Sequence, residues 1–96
     1  MSFIQLIEIE TDDFAALERL HDEWLAATEG ERTVVQERVC RDQDRPNTYV
    51  LIVEFPSAEA ASVNNALPAT ARIAEGMNAL AARPPKFRNL DLIRNG

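Results

Sequence analysis

Two side chains that can take part in chemistry, His21 and Trp24, lie three residues apart in the chain. Residues three apart on a helix share a face, so the imidazole and the indole would point the same way. A histidine exchanges protons near neutral pH, and an indole can stack on a flat ligand. The apolar neighbours Leu17 and Leu25 disfavour a charged imidazole unless Glu54 or another carboxylate reaches it. The pair predicts either a ligand site or an ordinary buried histidine and tryptophan.

Other polar and aromatic positions could join the same site. Asn64 and Asn65 stand before Leu67 and Pro68, where their amides could hold a substrate carbonyl or an oxyanion or satisfy a helix end. Tyr49 opens an apolar segment and offers a phenol, or simply a strand-end aromatic ring. The candidate catalytic residues are therefore His21 and Asn64. The candidate ligand-binding residues are Trp24, Tyr49, Phe55, Asn65 and Met77, although Met77 also suits the core.

The sequence argues against the common resident cofactors. One histidine and one cysteine in 96 residues allow no intrachain disulfide and no closed metal site within one chain. The three glycines are isolated, so no glycine-rich loop cradles a phosphate. We expect no cofactor and no metal, and any oxygen chemistry would draw its electrons from the substrate.

Length and charge exclude several classes of partner. The 96 residues make one domain, residues 1–96, and 46% of them are hydrophobic. The net charge is −6, and residues 1–31 carry nine acids but one base. Without a basic stripe we expect no nucleic acid partner and no binding to an acidic membrane surface. The start shows no basic region followed by a cleavage site, which favours a cytoplasmic protein.

Hydrophobic periodicity and turn residues predict seven elements. Strands are predicted at residues 2–10, 32–42, 49–55 and 86–94, and helices at about 12–29, 58–67 and 69–82. Thr11 or Asp12 would cap the first helix, and Gly30 would end it. Gly76 weakens the prediction of an unbroken last helix. The second and third strands would form a hairpin through the turn at residues 45–48.

This order of elements is the split βαβ pattern of an α+β, ferredoxin-like fold with a four-stranded antiparallel sheet and helices on one face. Alternate residues of the strands form two sets, and both are apolar. The helices can bury only one set, which we expect to include Phe3, Ile7 and Phe55. The other set would leave an exposed patch too large for a soluble monomer, so we expect a homodimer. The predicted interface residues are Ile4, Leu6, Val50, Ile52, Leu90 and Leu92.

The chain resembles the antibiotic biosynthesis monooxygenase-like family over nearly its whole length. The resemblance rests on the element order, on Gly30 before the second strand, on residues 44–49 (Asp-Arg-Pro-Asn-Thr-Tyr) and on residues 54–60 (Glu-Phe-Pro-Ser-Ala-Glu-Ala). It implies a dimeric α+β barrel and a cofactor-free monooxygenase of aromatic molecules. Haem-degrading members use Asn, Trp and His at the positions that correspond by resemblance to Gln5, Phe55 and Asn65 of this chain, so haem degradation is not expected.

Three functions remain open at this point. The chain could be a cofactor-independent monooxygenase acting on an apolar or aromatic small molecule held between sheet and helices. It could bind such a ligand without chemistry. It could also be a structural or regulatory dimer whose interior is filled by its own side chains. The space between the first helix and the sheet separates the third function from the other two.

Overall fold

The computed structural model describes residues 2–96 and contains four strands and three helices. In chain order they are β1 (Phe3–Glu10), α1 (Phe14–Ala27), β2 (Gln36–Arg41), β3 (Thr48–Phe55), α2 (Ala58–Asn65), α3 (Pro68–Leu80) and β4 (Lys86–Asp91). No helix within residues 2–96 is long and apolar enough to cross a membrane.

The strands form one sheet in the order β2-β3-β1-β4, and every neighbouring pair is antiparallel. Strands β1 and β2 flank β3 and are joined through α1, which is the split βαβ arrangement. The predicted α+β, ferredoxin-like fold is confirmed. The predicted hairpin is present as well, with Cys40 opposite Val50 and Gln36 opposite Glu54.

The outer strands are shorter than the sequence predicts. Strand β4 ends at Asp91, which pairs with Phe3, the first residue of β1. One more backbone bond follows, from the N–H of Leu92 to the carbonyl of Ser2 at 2.9 Å, and the pairing ends there although the apolar residues continue. Strand β2 likewise starts at Gln36, opposite the end of β3. The limit in both cases is the length of the neighbouring strand.

The helix ends follow local hydrogen bonding. The N-cap of α1 is Asp13, whose carboxylate accepts from the N–H of Ala16 at 3.0 Å, rather than Thr11 or Asp12. Thr11 instead accepts from the N–H of Asp13. Helix α2 is capped by Ser57. Pro68 begins α3, a position that suits a residue without an N–H.

Helix α3 is unbroken at Gly76, and the packing of α1 explains the glycine. A β-carbon added at Gly76 would lie 2.8 Å from Cδ2 of Leu20 on α1. The glycine therefore costs helix propensity but allows the two helices to approach closely. Helix α1 is held against α3 at this point.

The helices cover one face of the sheet, and the core on that face falls into two clusters. One cluster joins Ile9 and Tyr49 of the sheet to Leu17 of α1 and Met77 of α3. The other is built from Val53, Phe55 and Ala61. The strand residues in both clusters belong to the set predicted to face the helices. The opposite face carries Ile4, Leu6, Val50, Ile52 and Leu90, and no segment of residues 2–96 covers it.

The β2–β3 turn is held by an ion-pair network on the sheet's end. Arg45 donates from Nε to Asp42 at 3.1 Å and from an Nη to Glu8 of β1 at 2.8 Å. The N–H groups of Asp44 and Arg45 also donate to the Asp42 carboxylate. These bonds, the one from Asp44 first, hold the pKa of Asp42 below its ordinary value of 3.8. Asp42 and Glu8 in turn raise the pKa of Arg45.

Asp42 therefore makes a pH-dependent contribution to stability. Its pKa is lower in the folded than in the unfolded chain, so the contribution is present above about pH 4 and is lost as the pH falls through the folded pKa. We expect Asp42→Asn to lower the free energy of unfolding near pH 6 and to have less effect near pH 3. Urea unfolding at both pH values measures this. Asp44→Asn is the matched control, and an equal effect of Asp42→Asn at both pH values would contradict the assignment.

Candidate functional site

A cavity of about 360 Å³ lies between the sheet and the helices. It separates the two core clusters, because its lining includes Leu17 and Met77 of the first cluster and Val53 and Phe55 of the second. The lining is mostly apolar, and the cavity is open to solvent on part of its surface. Phe14, Trp24, Phe55 and Met77 line the space but do not fill it.

His21 and a glutamate form a hydrogen-bonded pair on the cavity wall. His21 Nε2 lies 2.5 Å from Oε1 of Glu37, which projects from β2 on the helix-covered face. Both side chains are half-buried, at 29% and 23% exposure. An ionised carboxylate only accepts hydrogen bonds, so Nε2 is the donor to Glu37 whenever that carboxylate is ionised. The sequence-based expectation for His21 named Glu54 or another carboxylate. The partner is Glu37, whereas Glu54 lies beside Ile4 on the opposite face of the sheet.

Trp24 is fixed by a polar anchor. Its Nε1 donates to the hydroxyl of Thr70 on α3 at 3.0 Å, and the residue is 7% exposed. The guanidinium of Arg32 lies 5.7 Å from the centre of the indole ring, within the range of a cation–π contact. The rings of His21 and Trp24 are nearly parallel, at 25° with centroids 6.1 Å apart. The sequence-based prediction that both rings share a helix face agrees with this geometry.

Asn64 brings an unsatisfied polar group to the cavity. It is 4% exposed and lines the cavity, and its Oδ1 has no hydrogen-bond partner. Asn64 follows Ala61 by three residues on α2, and Ala61 packs in the second core cluster. The shared helix face turns the asparagine inward. An orphaned buried amide oxygen is uncommon in folded proteins and calls for an explanation.

The remaining candidates divide between cavity and core. Phe55, Met77 and Asn65 line the cavity, although Asn65 is also exposed. Tyr49 does not reach the cavity lining. It stacks on Phe14 instead, with ring centroids 4.6 Å apart at 23°, and it belongs to the first core cluster.

Sequence reasoning missed Glu37, Thr70 and Gln5, which contribute polar atoms to the lining. The signal for Glu37 was present, because it alternates with Val35 and Val39 and so occupies the helix-facing set of an apolar strand. Thr70 and Gln5 carried no comparable signal. Within residues 2–96 there is no cluster of three or more His, Cys, Asp or Glu side chains that could hold a metal ion.

The bond from Trp24 to Thr70 predicts a measurable cost when it is broken. Thr70→Val keeps the shape of the side chain but leaves the buried indole N–H without a partner. We expect a loss of about 1–3 kcal/mol in the free energy of unfolding, measured by urea denaturation. Thr70→Ser keeps the hydroxyl and serves as the control. If the two variants unfold alike, the hydrogen bond does not hold the indole.

No protein-family model matches the chain, and no curated protein matches its sequence. Solved structures do match its fold. SnoaB, described as a cofactor-independent oxygenase from Streptomyces nogalater, gives a TM-score of 0.83 at 17% identity, with 98% of this chain and 95% of that chain covered.

Two further solved structures match the fold of this chain. Rv0793 from Mycobacterium tuberculosis gives a TM-score of 0.82 at 18% identity, covering 99% of this chain and 98% of its own. A structure described as an antibiotic biosynthesis monooxygenase gives 0.76 at 19% identity, covering 96% and 99%. The chain therefore has the α+β fold of the antibiotic biosynthesis monooxygenase proteins.

Proposed function

We propose that this chain binds a planar aromatic small molecule between its sheet and helices and oxidises it with dioxygen, without a cofactor. One observation carries the proposal. The interior contains an open, mostly apolar cavity of about 360 Å³, and its lining includes Asn64, whose buried Oδ1 has no partner.

The size and lining of the cavity suit such a ligand. Small-molecule sites measure about 300–1,000 Å³ and combine apolar walls with a few polar groups that fix orientation. Here the walls come from both core clusters, and the polar groups come from the His21–Glu37 pair and from Asn64. An indole anchored by Thr70 offers a flat surface for an aromatic ring.

The orphaned amide of Asn64 supports binding rather than a purely structural interior. A buried acceptor without a partner costs about 1–3 kcal/mol, and an apolar side chain at this position would avoid that cost. Less than 1 Å² of Oδ1 is exposed, so the amide must turn toward the cavity before a ligand hydroxyl can donate to it and satisfy the group. The cost in the free chain is then offset when the ligand binds.

Without a cofactor, the electrons that reduce dioxygen must come from the substrate, and this requirement restricts the substrate class. A tricyclic phenol with an activated methylene group can supply them itself, and 1,8-dihydroxyanthrone represents this class. In the overall step four electrons pass from the methylene carbon to dioxygen. One oxygen atom becomes the new carbonyl of the quinone, and the other leaves as water with the two methylene hydrogens. His21 would take the first proton, and Asn64 would orient the ring oxygens.

The likeness in fold to SnoaB, described as a cofactor-independent oxygenase, supports this chemistry. The alternative is a protein that binds the same ligand without oxidising it, and the same cavity favours it equally. A structural dimer with a filled interior is less consistent with the open space between α1 and the sheet.

The uncovered face of the sheet supports a homodimer. The register places Ile4 beside Leu90 and Leu6 beside Ile52. These apolar side chains form a patch whose neighbours on the same face include Glu54, Arg88 and Arg38. Val50 extends the patch along β3, and Leu92 follows beyond β4. A second copy of the chain, facing this one sheet to sheet, would bury both patches.

The accessible surface area of the single chain also supports a homodimer. Its accessible surface is 6361 Å², whereas a compact monomer of 10.8 kDa would expose about 5,500 Å². Part of this excess lies at the open cavity, where Val39 and Phe87 are 43% and 54% exposed. The half-buried apolar side chains on the other face of the sheet add to it. A standard interface buries about 800 Å² on each partner, which is of the same order.

The dimer can be tested at the centre of the patch. Ile52→Asp places a charge in an apolar interface, and we expect it to convert the dimer into monomers or to unfold the chain. Sedimentation at micromolar concentration measures this. Ile93→Asp is the matched control, because Ile93 is 85% exposed and should stay dimeric. A wild-type chain that sediments as a stable monomer would contradict the proposed homodimer.

The oxidation is tested by oxygen uptake with 1,8-dihydroxyanthrone. We expect Asn64→Ala to lower kcat/KM about 100-fold, as the loss of a positioned polar group does. The variant should not be less stable than wild type, since removal of the unpartnered Oδ1 relieves a cost of about 1–3 kcal/mol that offsets the packing lost at this buried position. Asn78→Ala, at an exposed position of α3, is the control. Wild-type protein that binds the anthrone but consumes no oxygen would establish the non-catalytic alternative.

A further inference from the structure

The contact between His21 and Glu37 bridges the space between helix α1 and strand β2. Helix α1 packs on α3 through Leu20 and Gly76. At His21 it reaches across to β2, an outer strand of the sheet. Both members of the pair line the cavity, so the contact forms part of the wall that a ligand would touch.

We propose that Glu37 is a positioning residue that makes His21 the proton acceptor of this cavity, and that the proton comes from an aromatic hydroxyl or enol of the ligand. The inference rests on the proposed function, because it names the group of the ligand that the site recognises.

The chemistry of the pair assigns the two ring nitrogens. The Glu37 carboxylate accepts from Nε2 at 2.5 Å, so in the neutral ring Nδ1 carries the free lone pair. When the ligand O–H bond breaks and the Nδ1–H bond forms, the ring becomes an imidazolium. The Glu37 carboxylate then stabilises this new positive charge at the distance of a charge-assisted hydrogen bond. The ligand keeps the electron pair as a phenolate.

Ring geometry and neighbouring charges support the same assignment. The imidazole and the indole of Trp24 are within 25° of parallel, so a ligand stacked on the indole lies parallel to the imidazole. The lone pair of Nδ1 and an aromatic O–H both lie in their own ring planes, which allows an edge-on approach. Glu18 also lines the cavity on α1 but is exposed and forms no ion pair with His21. Glu37 is therefore the carboxylate that can act on the ring.

Two observables separate binding from proton transfer. Trp24 is the only tryptophan in the chain and lines the cavity, so quenching of its fluorescence reports binding. The probe is 2-hydroxyanthraquinone, whose visible absorption changes when its hydroxyl ionises. The 2-methoxy analogue has the same rings and no acidic proton. Spectra are taken at the pH where the free dye is half ionised.

We expect the wild-type protein to raise the phenolate-to-phenol ratio of the bound dye about tenfold over the free dye. Glu37→Gln keeps an acceptor oxygen for Nε2 but removes the charge, and it should lower the ratio about tenfold while the dye still binds. His21→Gln should give the same loss. Glu23→Gln, an equal loss of charge at an exposed position of α1, should match wild type, and the methoxy analogue should quench Trp24 in all four proteins.

The possible failures are distinct. If Glu37→Gln binds the dye with the wild-type ratio, Glu37 only ties the helix to the strand and the inference is wrong. If the wild-type protein binds the dye without favouring the phenolate, His21 is not the proton acceptor, while the binding site stands. If neither compound quenches Trp24, the proposed function itself fails and this inference fails with it.

Discussion

A sheet that is apolar on both faces is the constraint on which the rest of this structure depends. Three helices in a chain of this length cover one face, and the other face keeps Ile4, Leu6 and Ile52 half-buried without a cover. Burial of apolar area stabilises a fold by about 25 cal/mol per Å², so the uncovered face favours association. The dimer proposed for this protein is a consequence of strand patterning rather than of any special contact residue.

The covered face is not uniformly packed, and this is where the site arises. Helix α1 approaches α3 so closely at Gly76 that a β-carbon there would meet Leu20. The apolar side chains beneath them gather into two clusters instead of one. The volume left between the clusters is the cavity, so the helix packing and the candidate site are parts of the same arrangement.

Polar groups at the cavity are held by different means. Trp24 is fixed by Thr70, and His21 is fixed by Glu37, whereas the Oδ1 of Asn64 has no partner. The bonds of Trp24 and His21 hold the part of the wall on which a ligand would stack. The amide of Asn64 is the lining group whose oxygen has no partner and could pair with a ligand. Preorganised groups of this kind reduce the ordering cost of binding. The same arrangement serves binding alone or binding followed by oxidation.

The sequence by itself determined the element order, the fold class, the β2–β3 hairpin and the two-sided sheet, because these depend on local periodicity and turn residues. It also placed His21 and Trp24 on one helix face, since that follows from a spacing of three. Tertiary structure decided the rest. Glu37 meets His21 from 16 residues away, and Tyr49 turns to Phe14 instead of the cavity. The open space itself depends on how closely α1 and α3 approach, a balance of packing across elements that no single segment encodes.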